Sequence, residues 1–256
     1  MGEDNKNKFL KGAAILTAAG MAARVMGFVY RVILTRIIGA EGMGLYQMAY
    51  PIYTILLVVS RSGIPVALAK LIADRIASEK KKEAYKIFIV ARRMSLVVGI
   101  VVSILMAFSA KPLINILSLD PRAYYAVLAI SPAIFVVSIM AAFRGFFQGL
   151  QDMLPTALSQ VSEQFIRMIT MIVLVVFLAP YGLEYAAAGA SFGAVTGALG
   201  GLLILFYIYY KRREKIFDFL SRGDDIQNLR SVSIVKRITT LGVPITLGAL
   251  VMPLMS

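Results

Sequence analysis

The sequence predicts an all-α polytopic membrane protein, and three observations carry that expectation. Hydrophobic residues occupy 59% of the 256 positions and charged residues only 16%, with a mean hydropathy of +0.78. Apolar runs long enough to cross a bilayer, at about 1.5 Å of rise per residue, recur along the whole chain. The net charge of +13 is gathered into alternate connections, which is the pattern of a positive-inside topology. Together these exclude a soluble globular domain.

The apolar runs fall at 12–38, 45–73, 87–110, 123–143, 156–179, 185–210 and 238–256. Hydrophobicity in the first run continues past the small residues Ala22 and Ala23, so it reads as an uncleaved span rather than a signal peptide. With a cytoplasmic amino terminus, the inner segments hold Lys6, Lys8, Lys11, Lys80, Lys81, Lys82, Lys211, Arg212 and Arg213, whereas Arg36, Lys111 and Arg122 fall in outer turns. Basic charge is thus mainly a topology signal, with attraction to anionic lipid a secondary possibility. Trp is absent, which leaves Tyr at the span ends to form any interfacial belt. The expected organisation is a cytoplasmic amino terminus over 1–8, a six-helix unit over 9–210, a polar cytoplasmic linker over 211–236, and the beginning of a further span over 237–256.

Polar residues inside the spans are the candidates for function. Gln160, Glu163, Gln164 and Arg167 recur at i, i+3, i+4 and i+7, a stripe on one face of the fifth span. Charge in hydrocarbon is costly unless it faces protein or water, so this helix is expected to line an interior cavity; the competing reading is a structural ion pair between Glu163 and Arg167. Arg24 lies mid-way along the first span, where insertion of an arginine costs about 2.5 to 3.5 kcal/mol, which points it inward. Arg31 is two turns further along the same side, and either joins the cavity or snorkels to the interface. Gly20 and Gly27 share that face. Arg61, Ser62, Gly63 and Pro65 interrupt the second span and predict a bend or break. Gly189, Gly193, Gly197 and Gly201 repeat every fourth residue on the sixth span, a groove for close helix packing. Guanidiniums suit phosphate and pyrophosphate because their planar fork makes paired charge-assisted hydrogen bonds. If Arg24, Arg61 and Arg167 converge, they make a cationic chamber.

Catalysis is not expected. Histidine and cysteine are absent, no close pair of membrane carboxylates suggests a metal site, and no glycine-rich phosphate loop follows a strand. The sequence therefore suggests no catalytic residue, no metal and no cofactor.

Two runs carry a family resemblance. Ala23-Arg24-Val25-Met26-Gly27-Phe28 with Arg36-Ile37-Ile38-Gly39-Ala40 resembles the first helix of the multidrug/oligosaccharidyl-lipid/polysaccharide (MOP) exporters. The longer run from Arg144-Gly145-Phe146-Phe147-Gln148-Gly149 through Asp152, Pro155, Ser159-Gln160, Glu163-Gln164 and Arg167 resembles the stage V sporulation-type polysaccharide flippases within that superfamily. The lipid II flippases are more distantly similar. The resemblance implies two six-helix lobes around a central cavity, of which this chain would supply the amino-terminal lobe and the start of a seventh helix at Leu241-Gly242-Val243-Pro244-Ile245. It implies alternating-access movement of a lipid-linked oligosaccharide, polysaccharide or cell-wall precursor of the polyprenyl pyrophosphate type across the cell membrane. Arg24, Arg31, Arg61 and Arg167 would bind that substrate, while Gln160, Glu163, Gln164, Gly63 and Pro65 would serve the cavity or its gating. At Leu56, Leu57, Val58 and Val59 the second span is apolar where lipid II flippases carry basic residues, which argues against lipid II itself. Two alternatives stand: an ion-coupled multidrug antiporter of the same superfamily, and a non-transporting scaffold that recruits envelope-synthesis enzymes through its basic loops.

Overall fold

The computed structural model describes residues 3–61, 63–221 and 230–254. All of the regular structure in those residues is helical: α1 (Glu3–Arg61), α2 (Gly63–Ala77), α3 (Lys81–Ile116), α4 (Tyr124–Gly149), α5 (Leu154–Leu178), α6 (Leu183–Ser221) and α7 (Ser231–Leu254), with short 3₁₀ turns at Pro121–Ala123 and Ala179–Tyr181. Among the described residues, six helical stretches are long and apolar enough to cross a membrane, and the chain is a multi-pass membrane protein.

α1 is nominally 59 residues long but turns back on itself at Gly39, whose φ of 65° and ψ of −170° lie outside helical space. That backbone region is essentially restricted to glycine. The reversal brings the guanidinium of Arg31 to 6.0 Å from the ring centre of Tyr50, although nineteen residues of straight helix would separate them by roughly 28 Å. The second expected span is therefore made from the later half of α1 followed by α2.

α4 is the hub. It packs against α1, α2, α3 and α6, and it is buried on nearly every side. The Arg144-Gly-Phe-Phe-Gln-Gly run explains how. A Cβ on Gly145 would lie 2.8 Å from the Pro65 carbonyl oxygen, and one on Gly149 would lie 2.7 Å from Ile72 Cβ, so both glycines admit α2 to close contact. Phe146 stacks on Phe88 of α3 with ring centres 4.1 Å apart. Phe143 and Tyr209 complete this aromatic core.

The glycines of α6 form a seam against α5. Cβ atoms at Gly189, Gly193, Gly197 and Gly201 would meet Leu178, Met171, the Glu163 carbonyl oxygen and the Ser159 carbonyl oxygen at 2.8, 3.0, 2.6 and 3.0 Å. Without an aqueous hydrophobic effect, helices in lipid associate through such close van der Waals contact.

Two stretches differ from the sequence expectation. Residues 211–221 continue α6 rather than opening the linker: Leu220 is buried, Phe217 makes an edge contact with Tyr85, and Lys81 sits 4.9 Å from the ring centre of Phe219. The run contains good helix formers, and these contacts supply the packing that local composition did not reveal. α7 likewise begins at Ser231 rather than at 237. It docks on α2 where a Cβ at Gly63 would come within 2.1 Å of the Gly242 carbonyl oxygen. Ser62 lies outside the described residues.

Candidate functional site: a cationic cleft between α1 and α5

A cleft of about 420 Å³ separates the first half of α1 from α5, lined by Gly20, Ala23, Arg24, Gly27, Phe28, Tyr30, Arg31, Tyr50, Gln160, Gln164 and Arg167. Helical periodicity accounts for the α1 wall. Ala23, Tyr30 and Leu34 are buried at seven- and four-residue intervals, and Arg24 and Arg31 ride beside them at the exposed rim. Gly20 faces Gln160 across the cleft, where a Cβ would make an ordinary contact at 3.9 Å from Gln160 Nε2. Arg31 lies against Tyr50 at 6.0 Å, a cation–π contact worth about 0.5 to 1 kcal/mol at an exposed site. Tyr50 in turn neighbours Tyr46 and Tyr53, with ring centres 6.0 and 6.1 Å away.

Arg167 forms the floor. It is only 8% exposed, and its Nη2 donates to Glu163 Oε1 at 2.9 Å. Glu163 is buried beside the cleft rather than lining it. Its other oxygen, Oε2, accepts from Arg144 Nη2 at 2.9 Å, and the same nitrogen donates to Ser159 Oγ at 2.9 Å. Two guanidiniums thus share one carboxylate, and the group keeps a net positive charge. Burying charge in a low-dielectric interior is tolerable only when it is paired and hydrogen-bonded. Gly197 of α6 secures the backbone behind this group, because a Cβ there would collide with the Glu163 carbonyl oxygen at 2.6 Å and Arg167 Cβ at 2.7 Å.

The expected site residues divide accordingly. Arg24, Arg31, Arg167, Gln160 and Gln164 come together around the cleft. Glu163 stands directly behind them. Gly63 and Pro65 do not line it; they are packing positions, against α7 and α4 respectively. The side chain of Arg61 lies outside the described residues, so the expected chamber of Arg24, Arg61 and Arg167 is represented by Arg24, Arg31 and Arg167. Sequence reasoning missed Arg144 as a site residue, although the apolar character of α4 continues beyond it through Phe146 and Phe147. It also missed Tyr30 and Tyr50, whose meeting depends on the reversal at Gly39.

At the basic end of the bundle, Arg212 pairs with Asp152 and Arg75 with Glu83 at 3.2 Å. At the opposite end, Arg122 bridges Asp120 and Glu41, each at 2.8 Å. Hydrogen bonds from the Arg122 side chain and backbone hold the Asp120 carboxyl below the usual carboxylate range.

The helical lobe with its reversed first helix pair shares its fold with about half of larger solved membrane-protein chains. It superposes with a TM-score of 0.71 on a MOP superfamily transporter from Pyrococcus furiosus Vc1, at 19% identity over 93% of this chain and 52% of that one. A MATE protein in complex with MaD5 gives a TM-score of 0.77 at 15% identity, covering 94% and 53%. At these identities the likeness is one of fold. The chain belongs to the polysaccharide biosynthesis protein family, whose profile matches residues 9–254. It is 41% identical over 212 residues to Stage V sporulation protein B of Bacillus subtilis (strain 168), covering 82% of this chain and 41% of that protein. It is 30% identical to Lipid II flippase MurJ of the same organism, covering 97% and 48%. The chain therefore spans less than half the length of these two relatives.

Proposed function

We propose that this chain forms the amino-terminal lobe of a flippase that moves a lipid-linked oligosaccharide, polysaccharide or cell-wall precursor across the cell membrane by alternating access. The observation that carries the reading is the meeting of Arg24, Arg31 and Arg167 on one cleft between α1 and α5. A pyrophosphate headgroup is the ligand such a site favours: it offers several anionic oxygens to planar forks, and an attached saccharide finds donors and acceptors in Gln160 and Gln164. The polyprenyl tail would stay in lipid beside the apolar rim at Phe28. The role is transport rather than bond making, so the arginines bind and release without chemical change.

The basic end is assigned to the cytoplasm, which puts the amino terminus inside and the turn at Gly39 outside. This is supported by the grouping of Lys81 with Phe219 and of Asp152 with Arg212 at one end, and of Arg122 with Glu41 at the other. An ion-coupled antiporter of cationic drugs is disfavoured, because the cleft presents three guanidiniums and its neighbouring carboxylate, Glu163, is already shared by Arg167 and Arg144. A scaffold role has no comparable support, since the basic loops are accounted for by topology.

Reconstitution of the full-length protein into proteoliposomes tests the reading, with a fluorescent saccharide on a polyprenyl pyrophosphate as substrate. Transfer between leaflets is expected in the wild type and severe loss with Arg24→Ala or Arg167→Ala. Absence of transfer, or transfer indifferent to both substitutions, refutes the reading.

A further inference from the structure

Arg167 is held in an unusual way for a buried guanidinium. Its Nε and Nη2 hydrogens point along one edge, the edge that normally grips two oxygens of a carboxylate or phosphate. Only half of that edge is used here. Nη2 donates to Glu163 Oε1 at 2.9 Å, whereas Nε is buried with no hydrogen-bond partner. An oxyanion entering the cleft and taking the whole edge must compete with Glu163 for Nη2. Glu163, for its part, would not be left unpaired by losing that contact, because its Oε2 already accepts from Arg144 at 2.9 Å. Arg144 comes from α4 and does not line the cleft. The backbone of Glu163 and Arg167 is pinned by Gly197, so the exchange requires side-chain rotation and no movement of α5.

We propose that Glu163 is an internal counter-ion which a phosphate or pyrophosphate group displaces from Arg167, and that Arg144 retains the carboxylate when this happens. Arg144 and Glu163 then set the anion affinity of the cleft from behind its wall, as positioning residues. The inference rests on the reading of the cleft as an anion site and adds a mechanism for release. Once the carboxylate returns to Nη2 it reclaims half of the guanidinium edge, which keeps a multiply charged headgroup from being held permanently.

The opposing roles make a distinctive prediction. Removing the carboxylate should free Arg167, whereas removing Arg144 should leave Glu163 more firmly on Arg167. Binding of inorganic pyrophosphate and of a short-chain polyprenyl pyrophosphate is measured by titration calorimetry on the full-length protein in nanodiscs. Glu163→Gln is expected to tighten binding and Arg144→Gln to weaken it, each by about tenfold, the order expected for one charge-assisted hydrogen bond. The double variant should regain the affinity of Glu163→Gln, a rescue that damage to packing would not produce. Pyrophosphate alone binding places the specificity in the headgroup; the lipid alone binding shows that the tail is needed, and the same ordering of variants must then hold for the lipid. Should Arg144→Gln fail to fold, Glu163→Gln still decides, because unchanged or weaker binding overturns the inference. Wild-type binding with no opposing shifts overturns the counter-ion mechanism and leaves the anion site standing. If the wild type binds neither probe, the anion site and the mechanism fall together.

Discussion

The two faces of α5 obey opposite rules. Toward α6 the interface is dry and closed by glycine: Gly189, Gly193, Gly197 and Gly201 bring the helices so near that no added methyl fits without displacement. Toward α1 the same helix presents the polar side chains of Gln160, Gln164 and Arg167, and a cleft of about 420 Å³ remains. A helix of 25 residues thus serves as a rigid partition, anchored by contact on one side and free to present charge on the other. The lesson is that charge can be kept in a membrane interior when the backbone bearing it is immobilised by packing that involves no charge at all.

The comparison breaks most violently at the seam. Gly197→Leu should abolish the folded lobe, since overpacking a tight interface costs about 1 to 3 kcal/mol even for modest insertions; the expected result is loss of monodisperse protein in size-exclusion chromatography. Gly197→Ala should fold with a lowered thermal midpoint. Substitution on the cleft side should behave in the reverse manner. Arg167→Ala is expected to reduce leaflet transfer by about tenfold to a hundredfold, the scale of losing charge-assisted hydrogen bonds. Its thermal midpoint should fall less than that of Gly197→Ala, because Arg144 still pairs Glu163.

Arg24→Ala sharpens the contrast, because Arg24 is exposed at the rim. Transfer should drop about tenfold while stability stays within about 0.5 kcal/mol of wild type, as is usual for surface changes. Arg31→Lys keeps the charge but weakens stacking on Tyr50, and should change substrate affinity only about two- to fivefold. The smallest effect belongs to neither face. Asp120 has its folded-state carboxyl held below the ordinary value by Arg122, so its contribution is complete above the unfolded value of about 4 and is lost as pH falls through the folded value. Amide exchange in the Pro121–Ala123 turn should therefore gain protection losses only below about pH 4, and Asp120→Asn should remove that acid sensitivity.

Much of the lobe was legible along the chain. Apolar runs located the membrane helices because hydrocarbon requires every backbone group to be bonded within its own segment. Of the i, i+3, i+4, i+7 stripe on α5, Gln160, Gln164 and Arg167 reach the cleft while Glu163 lies behind it, and the glycine repeat on α6 packs against α5. The site was half legible. Arg24 and Arg167 stood out because a charge in an apolar run is conspicuous, yet Arg144 did not, because it sits where the run meets a basic connection. The helical continuation through 211–221 was obscured by polarity, which looks the same in a solvated loop and in a helix whose Leu220 and Phe217 find partners elsewhere.

What the sequence determined by itself was local and periodic: where helices run, which face of each is polar, and that a glycine stands at residue 39, where the backbone takes a conformation other residues avoid. Which faces meet was decided only in three dimensions. Periodicity gives a side chain's direction around its own axis and places Glu163 beside Arg167 one turn apart, but the approach of Arg144 from α4 to Glu163 and the position of Tyr50 beside Arg31 depend on helix crossings set by the whole bundle. Their energies come from exclusion of water and lipid by neighbours distant in the chain, so no local pattern could have specified them.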